Sequence, residues 1–376
     1  MSKNTRTKLI SSIITASNKQ FGSGTTQILS SGGVTSKVLK TISTGSPELD
    51  MILARDLDGN YGMPVGRIVG ISGMEASGKT TLLMMLMKNV QRMGGLAILV
   101  ETEHAFDPAY AKLLGINLDE LVLSQPDYLE QGLDLMMLYA KQFRQAKAEF
   151  VAHSKEPWSV PMFIGFDSIA GVPTKSEFES TSFESNAAIA LHARKLSGFF
   201  RTINGLIARQ QICLVCTNQL KTDMNVKWGN KDTELGGRAL KFHATVRLDI
   251  RRRGFIKETK DGDPIGIETT VKTVKNKTMP PYKSVVVPII FGEGISYSRS
   301  LFNALLSRGI IEKKKKTYSL EYKIKGKNGI KHIKISEVGL KNFKNALQEK
   351  IQNSPLSRQK LERLLYRHES KVHQAG

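Results

Sequence analysis

Arg67–Thr81 reads RIVGISGMEASGKTT, and its centre, Gly73-Met-Glu-Ala-Ser-Gly78-Lys79-Thr80, fits G-x-x-x-x-G-K-[ST] without a mismatch. The apolar run Ile68–Ile71 predicts a strand entering this loop, and Leu82–Met87 predicts a helix leaving it. That strand–loop–helix context separates a phosphate-binding loop from an ordinary glycine-rich turn. Gly73 and Gly78 let successive backbone N–H groups turn toward one anion, with Ser77 and Thr81 in the same cradle. The helix N-terminus adds its positive dipole end. Lys79 then neutralises the β- and γ-phosphates, and the Thr80 hydroxyl is placed to ligate Mg²⁺. The ligand expected is a nucleoside triphosphate.

A chain of 376 residues, 40% of them hydrophobic, has room for a large α/β domain and a smaller one, which argues against global disorder. No apolar run reaches membrane-spanning length, and the start MSKNTRTKLISSIITASNKQFG has no long apolar segment or cleavage site. A cytoplasmic location is expected. The net charge of +21 asks for a polyanionic partner. It is unevenly spread, since residues 300–376 carry 18 Lys or Arg against 6 Asp or Glu. Nucleic acid is the partner this predicts, ahead of an anionic membrane surface. Cys213 and Cys216, three apart in the apolar run ICLVC, point to opposite faces of a strand and read as small buried hydrophobes. None of the seven histidines pairs at helical ligand spacing, so no metal motif is present.

Residues 7–19 suit a short helix, and the Gly/Ser/Thr-rich stretch 22–33 reads as a linker. A docking arm and a frayed terminus both fit that composition. From Thr41 strands and helices alternate: Ile68–Ser72, a helix from Lys79 to Met93, Leu96–Glu103, helices at Pro108–Leu114 and Tyr128–Ala148, Phe163–Phe166, a helix at Ala187–Arg209, and Ile212–Thr217. This order predicts a mainly parallel sheet covered on both faces, with its ligand at the carboxyl ends of the strands. Thr245–Ile250, Glu268–Val274 and Ser284–Ile290 run closer together and suit antiparallel pairs at one edge. Beyond Ser298 a helix at Leu301–Leu306 precedes the run Lys313–Lys316 and two alternating stretches around Gly326-Lys-Asn-Gly329 that read as a hairpin. Ser336 is the expected N-cap of a helix carrying Leu340, Phe343, Leu347 and Ile351, and Pro355 separates it from a last basic helix. The division expected is an N-terminal oligomerisation arm and linker (1–40), an ATPase core (41–298) and a small basic α+β domain (299–376).

The run MFIGF ends in Asp167-Ser168, the form of a strand whose terminal carboxylate holds the Mg²⁺ shell. Glu101 and Glu103 close a neighbouring strand, where a carboxylate can polarise a water in line with the γ-phosphate. Either can serve. A solvated strand-end acid is the simpler reading of Glu101.

Six blocks, TISTGSPELD (41–50), GMEASGKTT (73–81), ETEHAFDPAYAKLLGINLDELVLSQPD (101–127), FDSIAG (166–171), TNQL through GGRALKFHATVRLDIRRRG (217–254), and VKNK with FGEGISY (274–297), together resemble the RecA family of DNA strand-exchange recombinases. The SQPD, GGRALKF and VKNK blocks are not shared by phosphate-loop ATPases at large. The resemblance implies a RecA-type ATPase core, ATP and Mg²⁺ as cofactors, single-stranded and homologous double-stranded DNA as partners, and a homo-oligomeric helical filament. It implies Glu103 rather than Glu101 as the water-activating residue beside Lys79, and Asp107 and Tyr110 as adenine contacts. Gln219 matches a glutamine that senses the γ-phosphate, and Lys275 and Lys277 match a pair that reaches the neighbouring subunit's ATP. The segments 177–187, with Phe178 and Phe183, and 220–234, with Lys221, Lys227 and Trp228, resemble the two DNA-binding loops. Gly236, Gly237 and Arg238 follow the second, and Arg194 and Arg201, seven apart on one helix face, match positions that support phosphate contacts.

The chain also departs from the family pattern. Residues 141–160 are longer and contain Pro157-Trp158, which predicts an added surface loop. Only KQFG is kept in the arm, Phe291 replaces a tyrosine before GEG, and Arg238 stands where the family has a smaller amide. Residues 354–376 are net basic where bacterial members often end in an acidic tail that restrains DNA binding, so weaker autoinhibition is expected and the source stays open between a bacterium and a bacteriophage. Two other functions share these motifs: a ring-forming helicase-type motor, for which about forty residues before the core are too few, and an ATP-gated recombination regulator or mediator.

Overall fold

The computed structural model describes residues 3–22, 25–28, 37–180, 187–222, 232–234, 239–326 and 329–374. Helix α1 (Lys3–Phe21) is followed by β1 (Thr41–Ile42), α2 (Pro47–Leu53) and β2 (Met63–Pro64), with β1 and β2 paired antiparallel. The chain then runs β3 (Ile68–Gly73), α3 (Lys79–Arg92), β4 (Leu96–Glu101), α4 (Pro108–Leu114), β5 (Leu121–Ser124), α5 (Leu129–His153), β6 (Met162–Asp167), α6 (Lys175–Phe178), α7 (Ala187–Gln210) and β7 (Ile212–Thr222). After β8 (Asp232–Glu234) and α8 (Ala239–His243) come β9 (Val246–Lys257), β10 (Pro264–Asn276), β11 (Ser284–Ile290) and β12 (Gly294–Ile295). The remaining elements are α9 (Tyr297–Ser307), β13 (Glu312–Lys314), β14 (Thr317–Gly326), β15 (Gly329–Val338), α10 (Leu340–Asn353) and α11 (Pro355–Gln374).

The large sheet has the order β12-β11-β10-β9-β3-β7-β6-β4-β5, and β8 pairs with β7 outside that path. All neighbours from β9 to β5 are parallel, whereas β9 through β12 pair antiparallel. This is an α/β fold on a mainly parallel sheet, with the late strands at one edge as their spacing predicts. Because helices cover both faces, β3 and β6 are buried along their whole length, which is why they read as unbroken apolar runs.

The two-residue period sorts these side chains into two cores. Val69, Ile71, Cys213 and Val215 face α3, while Ile68, Leu214 and Cys216 face α5 and α7. The two cysteines are therefore buried free thiols on opposite faces of the sheet, and burial pushes both thiols well above their usual range. A third core joins α9, α10 and α11 to the sheet β13-β14-β15, and Met51 and Tyr61 reach into it from the α2 region. At its centre Phe343 is fully buried, 6.0 Å from the Phe302 ring and 5.9 Å from Tyr318.

Local differences from the sequence reading have physical causes. Residues 141–153 continue α5 instead of forming a loop, and Trp158 folds back with its edge against Phe143 and Phe150, 5.4 Å from each. Ser336 is no N-cap: it pairs with Ser319 inside β15, which stays extended to Val338. Gly339, at φ 92°, makes the turn into α10. The hairpin register pairs Gly326 with Gly329, and the two positions between them lie outside the described residues. Among the described residues no helix is long and apolar enough to cross a membrane.

Candidate active site

The phosphate loop joins β3 to α3 at the carboxyl edge of the sheet. Two glycines are obligatory for steric reasons. A Cβ on Gly73 would collide with the Ile250 carbonyl and Ser77 Oγ. Gly78 turns at φ 95° into α3, and a Cβ there would collide with Ile289. Ser77 is buried and donates to the Met74 carbonyl at 2.7 Å. The antiparallel edge braces the loop from outside, since Thr269 Oγ1 of β10 donates to Ser77 O at 3.1 Å. Lys79 Nζ folds back over the loop and donates to Gly73 O at 3.1 Å and Met74 O at 2.8 Å. Burial lowers its pKa, and Asp167, Glu103 and Glu75 oppose that shift.

Two strands away, Asp167 ends β6. Thr80 Oγ1 donates to Asp167 Oδ2 at 2.8 Å, so the two expected cation ligands already meet. Thr217 of β7 donates to the other carboxylate oxygen. Burial raises the Asp167 pKa, and the hydroxyls of Thr217 and Thr80 work against it. A hydroxyl and a carboxylate are hard oxygen donors of the kind Mg²⁺ takes when phosphate oxygens and water complete its shell. Among the described residues no group of three or more His, Cys, Asp or Glu is arranged to hold a metal by itself.

Glu101 and Glu103 occupy different environments. β4 ends at Glu101, so Glu103 lies beyond the strand in the following bend and is exposed. Glu101 is 4% exposed, not solvated. Its Oε1 accepts from the backbone N–H groups of Glu103 at 2.8 Å and Ala105 at 3.2 Å, and its Oε2 accepts from Gln125 Nε2 at 2.9 Å. Its carboxylate is occupied in shaping the loop that carries Glu103. Glu103 Oε1 in turn accepts from Ser168 Oγ at 2.9 Å and Gln219 Nε2 at 3.1 Å. Thr102 stitches the adjoining strand ends together: its hydroxyl donates to Ser168 O at 2.8 Å and accepts from Ser168 N at 2.9 Å. Ser168, Thr217 and Gln125 have no role read from the sequence alone, and Glu101 reads there as a solvated strand-end acid. Only their position inside the DS, TNQ, ETE and SQPD blocks pointed toward them.

Other expected site residues lie apart. Asp107 caps α4, accepting from Ala109 N at 2.8 Å and Tyr110 N at 3.1 Å, while Tyr110 packs partly buried on the first core. Lys275 pairs with Arg247, which pairs with Gly70 of β3, so this lysine lies toward the amino edge, away from the phosphate loop of its own chain. Lys275 Nζ donates to Lys241 O at 2.8 Å and Phe242 O at 3.0 Å, at the end of α8, so it is not a freely solvated lysine. Arg194 and Arg201 are exposed on α7, with Arg201 Nε donating to Ser197 O at 3.3 Å. Phe178 ends α6 beside the Tyr128 ring. Lys221 falls in β7, while Phe183, Lys227, Trp228, Gly236, Gly237 and Arg238 lie outside the described residues.

Residues 8–296 match the model of the RecA N-terminal domain. The chain is 37% identical over 318 residues to "Protein RecA" of Chlamydia pneumoniae, covering 85% of this chain and 83% of that protein. It is 37% identical over 316 residues to "Protein RecA" of Allochromatium vinosum, covering 84% of each. With "Protein RecA" of Legionella pneumophila the identity is 38% over 312 residues, 83% of this chain and 82% of the relative.

Proposed function

The chain belongs to the RecA family of DNA strand-exchange recombinases, and on that premise we propose that it is a DNA-dependent ATPase forming a helical filament on single-stranded DNA. The filament pairs its strand with homologous duplex. One observation carries the coupling of DNA to hydrolysis: Gln219 Nε2 donates to Glu103 Oε1 at 3.1 Å across 116 positions of sequence. Gln219 stands on β7, which runs directly into the segment resembling the second DNA-binding loop. Ordering that segment on a phosphodiester chain would move the amide and with it the carboxylate.

In this reading the backbone of Gly73–Thr81 and the Lys79 ammonium hold the phosphates of ATP. Thr80 and Asp167 would hold Mg²⁺, which supplies charge neutralisation at the β- and γ-phosphates. Glu103 takes the proton of a water whose oxygen bonds to the γ-phosphorus as the bond to the bridging oxygen breaks, leaving ADP and phosphate. Ser168 aims that carboxylate. The amino-edge position of Lys275 and Lys277 supports contact with the nucleotide of an adjoining subunit, and in this reading ATP lies between subunits and its binding stiffens the filament. Helix α1 supports such assembly, because Leu9, Ile13 and Phe21 are all exposed on it. Arg194, Arg201 and the basic residues of 220–238 would track the DNA backbone. A cytoplasmic location belongs to the same reading.

The test is the ATP hydrolysis rate with and without single-stranded DNA, alongside Lys79→Ala as the nucleotide-dead control. Strong stimulation, absent in the control, supports the proposal. A rate indifferent to DNA would keep the nucleotide site and move the function to an ATP-gated regulator.

A further inference from the structure

β7 carries two polar side chains on the face that looks toward α3. The two-residue period that turns Cys213 and Val215 into the core around α3 continues through Thr217 and Gln219. On β6 the same period puts Asp167, four positions past Phe163, on that face as well. Gln219 reaches Glu103. Thr217 is fully buried: it pairs with Ile71 of β3 on one side, and the preceding Cys216 pairs with Phe166 of β6 on the other. A hydroxyl there has no access to solvent, so its proton needs a partner within the protein. It finds Asp167 Oδ1, with the Phe166 carbonyl, at 3.3 Å, as a longer alternative.

The segment Asp167–Ile169 is fixed from both neighbouring strands. On the β7 side Ile169 N donates to Thr217 O at 3.0 Å, so one residue holds both the main chain and a side chain of the segment. On the β4 side Thr102 N donates to Asp167 O at 2.8 Å, and the Thr102 hydroxyl closes on Ser168. These backbone bonds fix where the Asp167 Cα stands. They leave its carboxylate free about the last torsion, which in aspartate is broad and roughly two-fold. Side-chain donors set that rotation: Thr217 at Oδ1 and Thr80 at Oδ2. Thr80 heads α3 among the groups that meet the nucleotide, whereas Thr217 lies behind the carboxylate and is no ligand itself.

We infer that Thr217 is a positioning residue for the cation site: by holding Oδ1 it keeps Oδ2 of Asp167 turned toward Thr80 and toward Mg²⁺. The inference rests on the reading of Thr80 and Asp167 as the Mg²⁺ ligands. Without the hydroxyl, Oδ1 is a buried acceptor with no donor, and the carboxylate turns to recover one. The orientation that suits the cation then becomes one among several. β7 thereby sets both carboxylates of the site, Asp167 through Thr217 and Glu103 through Gln219, from two positions on one strand face.

The experiment measures by calorimetry the affinity of the full chain, without DNA, for a non-hydrolysable ATP analogue, in excess chelator and in saturating Mg²⁺. The ratio of the two affinities is the gain the cation supplies. Asp167→Asn should lose most of that gain, which checks the underlying reading. Thr217→Val keeps the β-branched shape that suits the strand, and it should lower the gain by about tenfold while the Mg²⁺-free affinity stays at the parent value. Thr217→Ser keeps the hydroxyl and should restore the gain. Adding Thr217→Val to Asp167→Asn should lower it no further, because the two act through one contact. A full gain in Asp167→Asn would overturn the reading and the inference with it. Loss in Asp167→Asn beside an undiminished gain in Thr217→Val, or no recovery in Thr217→Ser, would overturn the inference alone. Where Thr217→Val also loses Mg²⁺-free binding, Thr217→Ala decides: the same double loss marks a merely structural role and overturns the inference, whereas a loss confined to the Mg²⁺ gain supports it.

Discussion

Replacing Glu101 by Ala should cripple hydrolysis while sparing ATP binding. The substitution removes a buried acceptor from three donors: Glu103 N at 2.8 Å, Ala105 N at 3.2 Å and Gln125 Nε2 at 2.9 Å. A hydrogen bond to a charged group is worth roughly 1.5–3 kcal/mol, and water replaces part of that in a half-exposed loop, so about 1 kcal/mol per bond is a cautious figure. The loop bearing Glu103 would then lose on the order of 3 kcal/mol of ordering, enough to populate displaced conformers. Misplacing a catalytic group by even an ångström costs around a hundredfold, so kcat should fall by about that factor. The phosphate loop makes none of these contacts, so equilibrium ATP affinity should hold. Glu101→Gln turns an amide donor toward the Gln125 amide and should fall between the two, and the swap Glu101→Gln/Gln125→Glu should recover activity by restoring a donor–acceptor pair. Steady-state hydrolysis with a separate nucleotide-binding titration reads both quantities. Turnover in Glu101→Ala equal to the parent would falsify the claim that this carboxylate positions Glu103.

Three further outcomes are expected. Gln219→Ala breaks the 3.1 Å contact to Glu103 and should keep ATP binding while losing stimulation by single-stranded DNA; unchanged stimulation in the hydrolysis assay would remove Gln219 from the coupling. The logarithm of the DNA-binding constant should fall linearly with log salt concentration, with a slope of about −0.7 per phosphate neutralised on a single strand, and a flat salt titration would contradict backbone binding. Cys213 and Cys216, whose thiols burial pushes above their usual range, should stay unreactive to a thiol reagent until the chain is unfolded. The same shift sets a sign for stability. Above about pH 8.5 the unfolded chain releases thiol protons that the native state retains, so stability falls as pH rises from there; urea midpoints that rise with pH in that window would refute it.

The local features of the site were legible because each depends on a few adjacent residues. The loop Gly73–Thr80 needs glycines at two collision points and a lysine beside them, and such a requirement leaves a continuous string. Strands buried on both faces, such as Met162–Asp167, announce themselves as apolar runs ending in a charge. The Ser336 reading failed for a related reason: a serine three or four residues ahead of an apolar helix is a cap only if the chain leaves its strand there. Pairing of Val338 with Thr317 holds it extended until Gly339. Likewise the 141–160 segment looked like a loop because Pro157-Trp158 breaks the pattern, yet the break lies after the helix end at His153.

What a single sequence does not disclose is which of two like residues the tertiary structure uses up. Glu101 and Glu103 are the same side chain two positions apart; the family resemblance favours Glu103, and the fold supplies the physical reason. The first turns into the protein toward Gln125 and the backbone of its own loop, and the second turns out toward Ser168 and Gln219. A buried carboxylate that accepts three hydrogen bonds has little left to offer a water, whereas Glu103 keeps an exposed carboxylate held at one oxygen by two neutral donors. That division of labour makes the chemistry depend on residues from three strands at once. If the segment continuing from β7 binds DNA as proposed, it would need to shift only one amide, that of Gln219, to alter the geometry at Glu103.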